Sequence, residues 1–142
     1  MQVKDIMTPN ATTIQTGASL TRAAYLMRDA NIGFIPVVDG KRLVGIITDR
    51  DIVIRAVADN RPATEKTVGD FMSDRPVCCQ EDDDVNDVVR KMEKYRVRRL
   101  PVIDDNHTIV GVVALGDIAQ RMSHAVSGEL LSTVSRHGDL VA

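Results

Sequence analysis

Aromatic residues make up 3% of this 142-residue chain, two Phe and two Tyr with no Trp. The ring platforms on which single-stranded nucleic acids stack are therefore scarce. Cysteine is nearly absent too. The two present are adjacent, Cys78 and Cys79, which is no disulfide framework. Neighbours on a strand point to opposite faces, and no Cys or His lies at ligand spacing from them, so no metal site is expected. His107, His124 and His137 are scattered along the chain. Neither charge sign dominates: 18 Lys and Arg against 20 Asp and Glu leave a net charge of -2, with no general attraction to nucleic acid or an anionic membrane. No uninterrupted apolar run approaches the roughly 20 residues that span a bilayer, and the start MQVKDIMTPN holds no apolar signal core. A cytoplasmic protein without a membrane partner is expected. There is no P-loop, no Gly-x-Gly-x-x-Gly and no evident pairing of nucleophile with base, so no catalytic residue is assigned and a non-enzymatic role is expected.

What is present suffices for a core, with 44% hydrophobic and 27% charged residues. The chain also repeats itself. A shift of 65 positions brings Val3 onto Val68, Asp5 onto Asp70, Met7 onto Met72, Gln15 onto Gln80, Met27 onto Met92, Pro36 onto Pro101 and Asp39 onto Asp104. After one extra residue in the second turn, Val44, Gly45, Asp51, Ile52 and Arg55 fall on Val110, Gly111, Asp117, Ile118 and Arg121. Two copies of one supersecondary unit commonly bury their apolar faces against each other, which puts function at the seam between copies.

Each copy reads as β-α-β-β-α, an α/β (α+β) pattern. In the first, Ala11 to Ile14 reads as a strand; Ser19 caps a helix with Leu20, Ala23, Ala24, Met27 and Ala30 at helical spacing. Phe34 to Val38 and Leu43 to Ile47 flank the hairpin signal Asp39-Gly40. From Asp51 through Ala58 a second helix is expected, its Val and Ile tolerated because burial outweighs their helix penalty. In the second copy Glu81 to Asp84 precede the helix of Val85, Val88, Val89 and Met92, and a hairpin runs through Leu100 to Ile103 and Ile109 to Val113. The division expected is repeat one at 1–60, a linker at 61–66, repeat two at 67–124 and a tail at 125–142 with a short helix through Leu130, Leu131 and Val134.

The paired patterns DIMT...IPVVDGKRLVGIITDRDIV and DFMS...LPVIDDNHTIVGVVALGDIA resemble two cystathionine-β-synthase (CBS) domains in tandem, covering about Val3 to Met122. Their specificity lies in the combined order of Met-Thr/Ser, apolar-Pro-Val, Val-Gly and the helix-opening Asp, repeated at one spacing. The chain is most similar to stand-alone bacterial two-CBS proteins of the hypoxic-response type. That resemblance implies two repeats packed as a pseudo-two-fold Bateman module, with a regulatory cleft between them for an adenosine-containing ligand such as AMP or ATP. No cofactor is required, and a homodimer acting on an unidentified protein target is expected.

Thr48 and Asp51 stand where a strand ends and a helix begins, a place where free backbone N–H groups favour a phosphate. Thr48 offers a hydroxyl donor, and Asp51 can accept from both hydroxyls of a ribose. The alternative is a capping box, in which the same two residues only satisfy the helix start. In the second copy Asp117 remains, but Ala114 replaces the hydroxyl. Arg98 and Arg99 resemble the family's His-Arg-apolar-Pro segment and can grip a phosphate in two-pronged fashion; the alternative is a solvated basic edge of Arg96, Arg98 and Arg99 facing Asp82 to Asp84. The family's precedent of adenine held by the opposite copy sets Ala11, Thr12, Thr13, Ile32 and Gly33 beside a base near Asp117, and Val77, Cys78 and Val97 beside one near Asp51. A ligand-independent interaction or dimerisation module is the main rival reading. RNA or DNA binding through the arginines is the other, and the net acidity argues against it.

Overall fold

The computed structural model describes residues 1–62 and 66–125; the expected tail helix lies outside them. Elements follow in the order β1 (Thr8–Pro9), β2 (Ile14–Gln15), α1 (Leu20–Ala30), β3 (Phe34–Asp39), β4 (Arg42–Thr48), α2 (Asp49–Asp51), α3 (Val68–Phe71), β5 (Ser73–Asp74), β6 (Cys79–Gln80), α4 (Val85–Tyr95), β7 (Arg99–Ile103), β8 (Ile109–Ala114) and α5 (Leu115–Ala125). A 3-10 turn at Val3–Asp5 opens the chain, and a π-helical stretch, Ile52–Val57, continues α2. The β-α-β-β-α order expected of each copy is observed twice, as β2-α1-β3-β4-α2 and β6-α4-β7-β8-α5, and each is preceded by a helical turn and a further two-residue strand, β1 or β5.

The chain forms two compact units. Of the described residues, unit I comprises those in Thr12–Pro76 with Asn106–Ile109; unit II comprises Met1–Ala11, Val77–Asp105 and Val110 to Ala125. These spatial units differ from a linear cut at 60 and 67. In unit I the sheet order is β2-β3-β4-β5, with β2 parallel to β3 and the other pairs antiparallel. In unit II the order is β6-β7-β8-β1, with β6 parallel to β7 and β1 antiparallel to β8. The opening segment of each sequence repeat thus completes the sheet built around the other repeat's hairpin. The physical reason is edge protection: β4 and β8 would otherwise present unpaired backbone groups. Burial fastens the exchange, since Val3 and Ile6 lie in the core of unit II, and Val68 and Phe71 in that of unit I.

Apolar periodicity places the two long helices. α1 buries Leu20, Ala23 and Met27, and α4 buries Val85, Val88 and Met92, one stripe each over its sheet. Both are capped. The Ser19 hydroxyl accepts from the Arg22 N–H at 3.0 Å, and the Asp84 carboxylate from the Asn86 N–H at 2.8 Å. Each helix ends on a left-handed residue, Asn31 and Arg96.

Two expectations are corrected. The strand expected at Ala11 to Ile14 is β2, Ile14–Gln15, which pairs only with Val37 and Val38 of β3. The helix expected from Asp51 opens at Asp49 and widens at once into a π-helix, its i→i+5 bonds including Ala58 N–H to the Val53 carbonyl at 2.9 Å. Burial supports only part of this stretch: Ala56 is buried and Ile52 packs on the core of unit I, but Val53, Ile54 and Val57 are 57%, 47% and 64% exposed. No helix among the described residues is long and apolar enough to cross a membrane.

Candidate functional site

In unit I the backbone is extended at Thr48 and turns helical at Asp49. This is the strand-to-helix junction at which free N–H groups collect. The junction is closed by reciprocal capping. The Thr48 hydroxyl accepts from the Asp51 N–H at 3.1 Å, and Asp51 Oδ2 accepts from the Thr48 N–H at 3.0 Å. Asp51 Oδ1 faces Arg55 Nε at 3.8 Å, and the acid's side chain is 14% exposed. The same guanidinium donates through Nη1 to the carbonyls of Phe71 and Met72 at 3.2 and 3.4 Å. Gly33 lies beneath the junction: its carbonyl accepts from the Asp49 N–H at 3.1 Å, and a Cβ at Gly33 would stand 2.7 Å from the Asp49 carboxylate. Its counterpart in the second repeat, Arg98, carries a side chain that is exposed.

Unit II holds the matching junction in open form. The Leu115 N–H donates to the Arg98 carbonyl at 2.8 Å, the bond equivalent to Asp49 on Gly33. Ala114 has no hydroxyl with which to cap the helix. Asp117 is exposed and has no hydrogen-bond or ion-pair partner among the described residues. It lines a cleft of about 340 Å³ together with Ile6, Thr8, Gln120 and Arg121. That lining combines one anion, one cation, two neutral polar groups and an apolar wall, which suits a small polar ligand with an apolar part.

The other residues singled out from sequence divide between the units. Thr12, Thr13, Ile32 and Gly33 belong to unit I with Thr48 and Asp51; Ala11, Val77, Cys78, Val97, Arg98 and Arg99 belong to unit II with Asp117. Ile32 packs on the core of unit I, and Val77 and Val97 on that of unit II. Arg98 and Arg99 are exposed and do not line the Asp117 cleft. Among the described residues neither they nor Arg96 pair with Asp82 to Asp84; Lys4 approaches Asp82 instead, at 3.4 Å. Cys79 is buried in β6, where burial pushes its thiol up to about 12; the half-buried Cys78 is raised by the same cause. Among the described residues no group of three or more His, Cys, Asp and Glu could hold a metal ion.

Sequence reasoning did not single out Ile6, Thr8, Gln120, Arg121 or Arg55 as site residues. The signal for the arginines was present, since Arg55 and Arg121 each follow a helix-opening acid by four positions, which puts both on one helix face. Ile6 and Thr8 had no such signal, because their place in the cleft depends on β1 joining β8.

A family model for the CBS domain matches residues 3–57 and 68–124. Hypoxic response protein 1 of Mycobacterium tuberculosis is 36% identical over 125 residues, 87% of each chain. A crystal structure of Hypoxic Response Protein I with two coordinated zinc ions superposes with a TM-score of 0.78 at 34% identity, covering 85% of this chain and 98% of that one. The CBS domain pair of MJ0100, in complex with 5-methylthioadenosine and S-adenosyl-L-methionine, gives a TM-score of 0.77 at 35% identity over 89% of this chain and 98% of its own. CBSX2 of Arabidopsis thaliana in complex with AMP gives a TM-score of 0.77 at 25% identity, over 87% and 97%.

Proposed function

The chain belongs to the CBS-domain family, and on that premise we propose that it is a regulatory module that binds an adenosine-containing ligand, AMP, ATP or a related adenosyl compound, at the acids opening α2 and α5. It acts by binding, not by chemistry. The observation that carries this reading is Asp117, a carboxylate without a partner among the described residues, on a cleft of about 340 Å³ that also holds Arg121, Gln120 and Thr8. A carboxylate accepts from both hydroxyls of a ribose, and donors nearby answer the phosphate. Thr48 with Asp51 supplies the second junction, while Arg98 and Arg99 supply further phosphate donors next to the start of α5. The adenosyl complexes of MJ0100 and CBSX2 support the ligand class. Regulation follows if the ligand binds one conformation more tightly than another and so changes a surface read by a protein target.

Calorimetry with AMP, ATP, NADH and S-adenosylmethionine tests the reading. Binding of at least one, with a thermal shift that grows with concentration, is expected. Absence of both heat and shift at millimolar concentrations rejects it for these ligands.

A second reading has its own observation. The closed capping box of Thr48 and Asp51 needs no ligand, and the exposed Val53, Ile54 and Val57 suit an apolar contact. On this reading the chain is a ligand-independent interaction module, with a homodimer built on that helix. Sedimentation with and without AMP separates the two: a concentration-dependent dimer indifferent to every nucleotide favours the second.

A further inference from the structure

We propose that the two helix-opening acids are unequal, because Arg55 occupies Asp51 from within the protein: a ligand takes Asp117 first and reaches Asp51 only by displacing that guanidinium. This rests on the reading of the site as an adenosine-ligand site, and it assigns the order of occupancy and the residue that sets it.

The repeat makes the comparison direct. The cleft of unit II is lined by Ile6, Thr8, Asp117, Gln120 and Arg121. Their counterparts in unit I are Phe71, Ser73, Asp51, Ile54 and Arg55. In unit I, Arg55 reaches from the helix that Asp51 opens to the end of α3: Nε faces Asp51 Oδ1 at 3.8 Å, and Nη1 donates to the Phe71 and Met72 carbonyls. The remaining oxygen, Asp51 Oδ2, accepts the Thr48 N–H. A diol arriving at Asp51 thus meets a carboxylate already engaged on both oxygens, whereas Asp117 has no partner among the described residues. Arg121, with no ion pair among them either, remains available to an anionic group on the ligand that Asp117 holds.

Arg55 does more than occupy the acid. Its carbonyl partners sit at the junction of α3 and β5, the segment that completes the sheet of unit I. Filling the second site therefore loosens the fastening of that segment, while filling the first does not. Arg55 is 49% exposed, and an ion pair of that exposure shifts an equilibrium by at most roughly five-fold. The device grades two affinities; it does not abolish one.

The test is calorimetry of the full chain with AMP as the probe, on the unaltered protein and on Asp117→Asn, Asp51→Asn and Arg55→Gln. The expected result is a tighter step lost in Asp117→Asn and a weaker one lost in Asp51→Asn, the latter strengthened roughly two- to five-fold by Arg55→Gln. A single step lost in Asp117→Asn also supports the order. Loss of the tighter or sole step in Asp51→Asn, or a weaker second step in Arg55→Gln, overturns it while leaving the adenosine-ligand reading intact. Absence of any AMP binding by the unaltered protein overturns both. Hydrogen exchange on the unaltered chain needs no substitution: the Met72 and Ser73 amides should exchange faster only at AMP concentrations that fill the second step, and faster exchange during the first step contradicts the assignment.

Discussion

Met72 lies across Gly45. A Cβ on Gly45 would stand 2.5 Å from Met72 Sδ and 2.9 Å from the Ser73 carbonyl oxygen. The second repeat has the same relationship, with a Cβ on Gly111 falling 3.0 Å from Met7 Sδ and 2.6 Å from the Thr8 carbonyl. The recurring Val-Gly pair is thus explained by strand addition, since only glycine admits β5 against β4 and β1 against β8 at this separation. A thioether can swing aside, but a paired strand cannot. Gly45→Ala and Gly111→Ala should each cost about 1–3 kcal/mol, the range for overpacking, read from urea unfolding. Gly45→Ala combined with Met72→Ala should remain destabilised, because the Ser73 carbonyl is still in the way.

Arg96 ends α4 at φ 55°, while the equivalent position after α1 is Asn31 at φ 53°. Its N–H bonds the Glu93 and Met92 carbonyls, so this conformation is part of the helix stop. Asparagine and glycine enter the left-handed region more easily than arginine. Arg96→Gly removes a left-handed penalty of about 1–2 kcal/mol at an entropic cost of roughly 0.5–1 kcal/mol, so it should stabilise the protein by up to about 1 kcal/mol, visible as a raised Tm, whereas Asn31→Ala should lower it.

Asp70 closes the turn that begins α3, accepting from the Thr67 N–H at 3.1 Å and the Thr67 hydroxyl at 3.0 Å. These bonds, the backbone one first, hold its carboxyl below the ordinary value of 3.8. A folded-state value below the unfolded one means that the unfolded chain takes up the proton first as pH falls. The stabilisation is thus complete above about pH 4 and is lost as pH drops through the folded-state value. Urea midpoints between pH 2.5 and 5 should fall less steeply for Asp70→Asn than for the unaltered chain; equal slopes would contradict the assignment.

Cys79 should resist iodoacetamide at pH 8 in the folded chain, because the thiolate is the reactive form and burial holds this thiol at about 12. Cys78, half-buried where Cys79 is buried, should react first. Stability follows with a definite sign. Between about pH 9 and 12 the unfolded chain releases the Cys79 proton while the folded chain keeps it, so stability falls as pH rises through that window. The difference in urea midpoint between the unaltered protein and Cys79→Ala should shrink from pH 8 to pH 11.

The duplication, the two capped helices and both hairpins were legible along the chain, because each rests on local chemistry: a hydroxyl or carboxylate before an apolar stripe, a turn pair between β-branched runs. The helix-opening acids were legible for the same reason, since Thr48 and Asp51 cap a helix whatever surrounds them. Other features depended on distant segments meeting. No local signal sends β1 to β8 or β5 to β4, as two-residue strands carry no periodicity and are held by a neighbour's unpaired edge and by Val3 and Val68 in the cores. Local propensity also misjudged the stretch after Asp51, where a π-helix turns Val53, Ile54 and Val57 outward. The difference between Asp51 and Asp117 belongs to this second kind. In sequence the residue three places before each acid differs, Thr48 against Ala114, and each has an arginine four places on; what that arginine reaches, the Phe71 and Met72 carbonyls beside Asp51, follows from strand pairing.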